Sequence, residues 1–407
     1  MLKFSPMIER DNLYRFPWSK TDNPGGWIEV TDICDLHCPG CYRHQIEGHC
    51  NIETIKNDID DLIRLTNCDC IAIAGGEPLG YPDLVEVVRY VASKRIKPMV
   101  YTNGVLLTPE MAIELKKAGL SKIHFHIDSA QERPGWTGKS ETELNELRQH
   151  YSDLLWKTGK IQCGFHVTVT RSNIGYIPDL VKWCQKNIAR VQHISFLAYR
   201  AICKDPLYQL VANGKIVDPE QSFGSNPDPS EINISSEEMY RYVLEANPNL
   251  RPSAYLNGTS IHETNKFLII VNAGSPSQHY GVLGPKTMEL SQVFYHLFKG
   301  RYFAFTENPK AGKKLFLMSL FDREVRKTFL QYLKASSKNP VRLFDKIYLQ
   351  SIHLQQPIEI IGEVVNLCDD CVNMMIYEGR LINSCRLDEY RMFGGAINIF
   401  RKNGQNS

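Results

Sequence analysis

Between residues 27 and 205 the chain alternates short apolar runs with segments of helical periodicity, six times over. Strand-like runs fall at 27–31, 70–74, 97–102, 122–127, 162–169 and 193–197. Helix-like segments fall between them at 52–66, 83–94, 108–118, 141–158 and 177–187. A helix in every connection implies parallel strands joined by right-handed crossovers, because antiparallel neighbours need only a short turn. Six repeats are fewer than the eight of a closed barrel. The pattern therefore predicts an α/β fold, a partial (β/α)6 TIM-like barrel, followed by a C-terminal α+β extension. In parallel α/β folds ligands gather at the carboxyl ends of the strands, so the residues that directly follow each strand become the candidate site.

The rest of the composition narrows the class. Lys and Arg number 47 against 45 Asp and Glu, a net charge of +2, which gives no support for nucleic-acid binding. No apolar run reaches the length of a membrane span, and residues 1–18 lack the apolar core of a secretory signal. Twelve cysteines without an export signal point to a reducing, cytoplasmic setting, in which clustered thiols read as metal ligands. Six of the twelve form two tight clusters near opposite ends of the chain. Four regions follow: an N-terminal segment 1–25, the partial barrel 26–205, a helical and loop region 206–350 that shapes substrate access, and a C-terminal region 351–407 holding the second thiol cluster.

The first cluster follows the first strand directly. Cys34, Cys38 and Cys41 stand at C-x3-C-x2-C spacing. Three thiolates on one loop leave one iron of a [4Fe–4S] cube without a protein ligand, and an open metal position can bind substrate or cofactor. A zinc knuckle completed by His37 or His44 is the competing reading of the same residues. The later strand ends each carry polar groups: Gly75-Gly76-Glu77-Pro78, Thr102-Asn103-Gly104, Asp128-Ser129, and Thr170-Arg171. Together they suit a zwitterionic amino acid that bears a ribose.

With these residues in place, the chain resembles a radical S-adenosylmethionine (SAM) enzyme over about residues 22–205. The C-x3-C-x2-C element after the first strand and the Gly-Gly-Glu-Pro element after the second carry the resemblance. It implies that Cys34, Cys38 and Cys41 ligate a [4Fe–4S] cluster, and that SAM chelates its open iron. It also implies reductive cleavage of SAM to methionine and a 5′-deoxyadenosyl radical, which abstracts hydrogen from substrate. Gly75, Gly76 and Glu77 would meet the amino group of SAM. Thr102, Asn103, Asp128, Ser129 and Arg171 would hold its ribose and carboxylate. The family usually carries an aromatic residue before the third cysteine; here that position is Gly40, and Tyr42 follows the cysteine instead.

The second cluster is Cys368-Asp369-Asp370-Cys371 with Cys385, spaced C-x2-C-x13-C. The intervening Tyr377–Leu381 region predicts a hairpin that returns Cys385 toward the pair. The spacing resembles the auxiliary-cluster motif of the molybdenum cofactor biosynthesis A family. That resemblance implies a second [4Fe–4S] cluster on Cys368, Cys371 and Cys385, with Asp369, Asp370 or Cys203 as candidates for closing it. Half a zinc ribbon is the competing reading. His124, His126, His166, Arg133, Trp136, Tyr199 and Arg200 are expected near the substrate. The overall expectation is hydrogen abstraction from a small-molecule biosynthetic intermediate, with a flavodoxin or ferredoxin as one-electron donor, no nucleic acid and no membrane span. A peptide-modifying maturase and a zinc-stabilised binding protein are the other classes in play.

Overall fold

A computed structural model describes residues 8–38, 41, 43, 48–159, 161–199, 207–218, 234–361, 364–369 and 371–402. After the short strand β1 (Tyr14–Arg15), the alternation runs β2 (Gly25–Glu29), α1 (Ile52–Thr66), β3 (Cys70–Ala74), α2 (Leu84–Ser93), β4 (Lys97–Thr102), α3 (Pro109–Ala118), β5 (Lys122–His126), α4 (Asn145–Thr158), β6 (Gln162–Val169), α5 (Ile177–Lys186) and β7 (Val191–Ala198). Strands β2 to β7 lie side by side in sequence order, and every neighbouring pair is parallel. The β3 run Cys-Ile-Ala-Ile-Ala is buried throughout, as a strand covered by helices on one face and facing the lumen on the other must be. Local chemistry sets the helix limits. The Asn51 side chain accepts the Glu53 amide to open α1, and Asn67 ends it in the left-handed region at φ 54°. Thr108 and Pro109 start α3, and Gly119 stops it at φ 104°.

The stretch from 206 to 350, expected to be helix and loop, adds several strands as well. It holds β8 (Tyr208–Ala212), β9 (Lys215–Ile216), α6 (Ser236–Ala246), β10 (Ala254–Asn257), β11 (Asn265–Ser275), β12 (Gln278–Val282), α7 (Pro285–Lys299), α8 (Gly312–Leu315) and α9 (Arg323–Lys338), and leads into β13 (Tyr348–Gln355). Strand β13 lies parallel beside β7, β11 antiparallel beside β13, and β10 beside β11. The sheet thus continues past the sixth barrel strand. Strand β11 is nearly all buried, including Lys266 and Asn272, whose polarity breaks the apolar run that would have announced it.

The opposite edge is extended too. The chain continues as β14 (Glu359–Ile361), β15 (Val364–Asn366), β16 (Met374–Tyr377), β17 (Arg380–Asn383), α10 (Leu387–Phe393) and β18 (Asn398–Arg401). Strand β16 pairs in parallel with β2, Met374 opposite Gly26. The expected hairpin is β16–β17, turned by Glu378 and Gly379, both at positive φ. Residues 366–369 and 371–374 lie between the two sheet edges. Cys368 bridges to Gly258 just after β10, while the Asn23 side chain at the start of β2 donates to the Cys371 carbonyl at 2.7 Å.

At the amino ends of the barrel strands, residues 301–309 run across as a strap. Arg301 donates to the Cys68 carbonyl, Lys97 donates to the Phe305 carbonyl, and Gln162 Nε2 bonds the Thr306 carbonyl at 2.5 Å. Lys122 opens β5 beneath this strap, with its ammonium 4.0 Å from the centre of the Phe305 ring. Burial holds its pKa down at about 7; nearby Lys97 adds to the effect and Cys70 opposes it. Free lysine titrates near ~10.4. Between those values the unfolded chain binds the extra proton, so this residue's contribution to stability rises with pH from about 7 upward. Lys122→Met should therefore be more stable than the parent, by a margin that is largest below pH 7 and shrinks toward pH 10. Denaturant titrations of the reduced chain across that range check this, and a pH-independent margin would contradict it.

Candidate active site

The lumen of the barrel is a cavity of about 1010 Å³, and both thiol clusters line it. Cys34, Cys38 and Cys41 enter from the carboxyl end of β2. Cys368, Cys371 and Cys385 enter from the residues between the sheet edges and from the turn after β17. Within each cluster the sulfurs are close enough to act on one another. Burial pushes Cys34 up to about 11 and Cys38 up to about 12, and the Cys41 sulfur adds to both. Burial likewise pushes Cys368 up to about 12, with Lys266 opposing and Cys385 reinforcing, and it raises Cys371 as well. Buried thiols that disfavour one another's charge match a set whose charge is met by a metal group. The Leu36 amide donates to the Cys34 sulfur at 3.5 Å, and the Asn373 amide donates to the Cys371 sulfur at 3.4 Å. Such N–H···S contacts are a recognised way of tuning iron–sulfur thiolates.

The glycines of the Gly75-Gly76-Glu77 element serve first against the chain's own backbone. A Cβ on Gly75 would lie 2.3 Å from the Thr31 carbonyl oxygen, and one on Gly76 would lie 2.3 Å from that of Ile33. The Gly76 amide donates to the Thr31 carbonyl and the Glu77 amide to that of Ile33. The element is therefore clamped to the strand end that delivers the cysteine loop. Gly75 and Gly76 still face the lumen. The buried Glu77 carboxylate turns sideways, accepting from the Leu79 amide at 3.0 Å, the Thr102 hydroxyl at 2.5 Å and the Asn103 amide at 2.7 Å. Burial raises it to about 7 against those bonds.

Thr102, Asn103 and Asp128 line the lumen. Asn103 Nδ2 donates to the Asp35 carboxylate at 2.6 Å, beside Cys34. Asp128 lies 2.8 Å from His126 Nε2 and accepts the Thr168 and Ala130 amides. Burial would raise Asp128, but His126 and the Thr168 donors outweigh it and hold the carboxyl below its usual range. Glu77, Ser129 and Arg171 are not among the lumen-lining residues. The Ser129 amide caps the Glu141 carboxylate at 2.7 Å, and Arg171 pairs with Glu238. Arg133 is buried, donating to the Asn103 carbonyl at 2.6 Å, while Tyr199 lines the lumen and Trp136 does not. Asp369 is held by Arg15. Gly40, Tyr42, His44, Arg200, Cys203 and Asp370 lie outside the described residues.

His124, His126 and His166 share the lumen face as their strand parity predicts, and His193 and His353 join them from β7 and β13. Burial is the main force pushing His124, His166, His193 and His353 below the ordinary histidine range, with neighbouring imidazoles and Lys122 assisting, so these four rings are neutral. Sequence reading overlooked His193 and His353, although the first opens a run already read as a strand. It also overlooked Arg43. That guanidinium, two residues after Cys41, lies 3.2 Å from Glu29, 2.8 Å from Asp32 and 2.7 Å from Asp388 on α10. Arg391 reaches the same Asp32 at 2.6 Å. Trp27 Nε1 donates to Glu29 at 2.7 Å.

With this geometry in view, part of the chain can be set beside known proteins. The profile of the Radical SAM superfamily matches residues 28–178. The chain carries a radical SAM domain. That family implies a [4Fe–4S] cluster and SAM, and the Cys34 cluster at the carboxyl end of β2, with a thiol-only donor set facing an open lumen, suits them. The radical SAM domain is 33% identical over 178 residues to an AdoMet-dependent heme synthase of Methanosarcina barkeri, covering 42% of this chain and 49% of that protein. A heme synthase of Oleidesulfovibrio alaskensis is 28% identical, covering 42% of this chain and 44% of its own length. A probable GTP 3',8-cyclase of Methanocaldococcus jannaschii is 23% identical over 45% of this chain and 62% of its own. The chain thus spans about half the length of the curated relatives it matches. Among solved structures, Streptococcus suis SuiB bound to precursor peptide SuiA is similar with a TM-score of 0.36 and 17% identity, over 44% of this chain and 40% of that one.

Removing Arg43 would leave Glu29, Asp32 and Asp388 facing one another with their shared cation gone. Arg43→Met is expected to cost about 3–5 kcal/mol of folding stability, the usual cost of orphaning a buried charge. Anaerobic urea unfolding of the reduced chain reads it, and a loss below ~1 kcal/mol would show that the clamp carries little.

Proposed function

We propose that this chain is a radical SAM enzyme that abstracts hydrogen from a small biosynthetic intermediate held in the barrel lumen, with an auxiliary [4Fe–4S] cluster on Cys368, Cys371 and Cys385. One observation carries the reading: two three-cysteine sets line a single cavity of about 1010 Å³. A volume of that order suits small ligands, and two clusters with SAM would leave room for a modest substrate rather than a folded chain. When bound, the cluster and SAM supply a strongly oxidising carbon radical.

In this reading the protein's own groups bind and exclude. Cys34, Cys38 and Cys41 hold the first cluster. Backbone at Gly75 and Gly76, with Thr102, Asn103 and Asp128, cradles the SAM amino acid and ribose. Glu77 sets that cradle by tying the ends of β3 and β4 together, and Ser129 and Arg171 steady the loops behind it. The neutral histidines and the aromatic wall of Trp27 and Tyr101 give the lumen hydrogen-bonding capacity without added charge. A flavodoxin- or ferredoxin-type protein is the electron donor this chemistry requires.

Iron and acid-labile sulfide after anaerobic reconstitution test the reading. About eight irons per chain are expected for two [4Fe–4S] clusters. Cys385→Ala should bring this to about four while SAM is still cleaved, and Cys34→Ala should end 5′-deoxyadenosine formation. Four irons in the parent chain would remove the auxiliary cluster from the proposal. Zinc in place of all iron would remove the enzyme reading as well.

A further inference from the structure

The face of the molecule around the strap carries an unusual pairing of exposed apolar side chains and positive charge. On α7, Leu297 and Phe298 are 70% and 77% exposed. In the 3-10 turn 316–320 and the residue after it, Leu317, Leu320 and Phe321 stand out to a similar degree. In the turn 340–344, Val341 and Phe344 do the same, Phe344 at 86%. The last two of these elements adjoin, and Phe298 of α7 lines the same cavity as Lys314 beside them. The Lys313 ammonium donates to the Leu343 carbonyl at 2.7 Å, and Phe316 packs on Phe329 and Tyr332 of α9.

Isolated exposed apolar residues need no explanation, but a contiguous group of large ones does. Charge says what covers this one. Residues 285–347 contain thirteen Lys and Arg against five Asp and Glu, a net +8 in a chain whose total is +2. One of the five acids, Asp322, is buried as the cap of α9. Large apolar side chains projecting among lysines and arginines match a surface that is apolar inside and anionic at its rim. The lumen opens here as well, because Phe294, Phe298, Lys299, Lys314 and Leu315 all line it from this side.

We infer that this face docks the protein peripherally on an anionic lipid bilayer, with the exposed Leu and Phe side chains entering the interface and the surrounding Lys and Arg meeting lipid phosphates. No helix among the described residues is long and apolar enough to cross a membrane, so the contact is with one leaflet. Attraction of this kind weakens with salt.

Co-sedimentation of the full reconstituted chain with vesicles tests the inference. Vesicles of phosphatidylcholine with about one third phosphatidylglycerol should bind the protein at low salt, at least tenfold more tightly than phosphatidylcholine alone, and less at high salt. Two separate variants divide the contributions. Leu320→Ser with Phe344→Ser, and Lys338→Glu with Lys346→Glu, should each weaken vesicle binding at least tenfold while iron content and far-UV circular dichroism stay unchanged. Failure of the parent to bind, or equal binding to both vesicle types, overturns the inference. So does a stable dimer by light scattering that the Leu320→Ser, Phe344→Ser variant dissociates, since a second copy would then be what covers the face. Iron content and SAM cleavage are read separately, so a failure here leaves the enzymatic reading standing.

Discussion

A single buried guanidinium ties the two ends of this chain together. Arg43 belongs to the loop that carries Cys34, Cys38 and Cys41, and Asp388 belongs to the helix that follows Cys385. Between them stand Glu29, on the strand that launches the first loop, and Asp32, shared with Arg391. A planar fork with five donors can serve three carboxylates in fixed directions, a geometry that a lysine's compact ammonium does not set. The relative placement of two cysteine sets more than 300 residues apart in sequence therefore rests on charge geometry in a buried place, where partners must match closely or cost much.

The lumen shows a complementary economy. Its polar residues are arranged to remain uncharged or to be satisfied internally. Four imidazoles are kept neutral by burial, Lys122 titrates near neutrality, and Glu77 spends its acceptors on Thr102, Leu79 and Asn103. Asp128 stands apart, held ionised by His126 and by donors from Thr168, and Lys299 and Lys314 line the lumen from the side of the strap. A space with one persistent carboxylate near the open thiols and few mobile charges elsewhere suits a reactive centre that must be shielded from water.

Much of this was legible from residues alone, for definite reasons. Helix α1 was readable over its whole length, because Ile55, Ile59 and Leu62 follow one another at spacings of four and three, the helical period. The C-x3-C-x2-C loop and the Gly-Gly-Glu-Pro element announced the radical SAM domain. Strand β11 was not legible, since a strand covered on both faces loses its alternation and Lys266 sits buried inside it. The Gly75-Gly76 pair was read as room for a ligand; its nearest demand is the approach of residues 31–33. Arg43 and Asp388 were invisible as a pair, because no local pattern links residues so far apart. Ser129 and Arg171 looked equivalent to Asp128 in sequence, and only tertiary placement turns them away from the lumen.

The order of strands has a consequence for how such a chain is made. The parallel core β2–β7 is flanked by β13 on one side and by β16 on the other, and both come from the last sixty residues. Until they emerge from the ribosome, the buried strands β2 and β7 stand with unpaired backbone along the two margins, the situation in which nascent sheets recruit one another. The C-terminal segment therefore acts as a pair of late-arriving bookends. A chain shortened before residue 348 would lose the margins of its sheet as well as its second thiol set, and inclusion bodies rather than a smaller soluble barrel are the natural outcome.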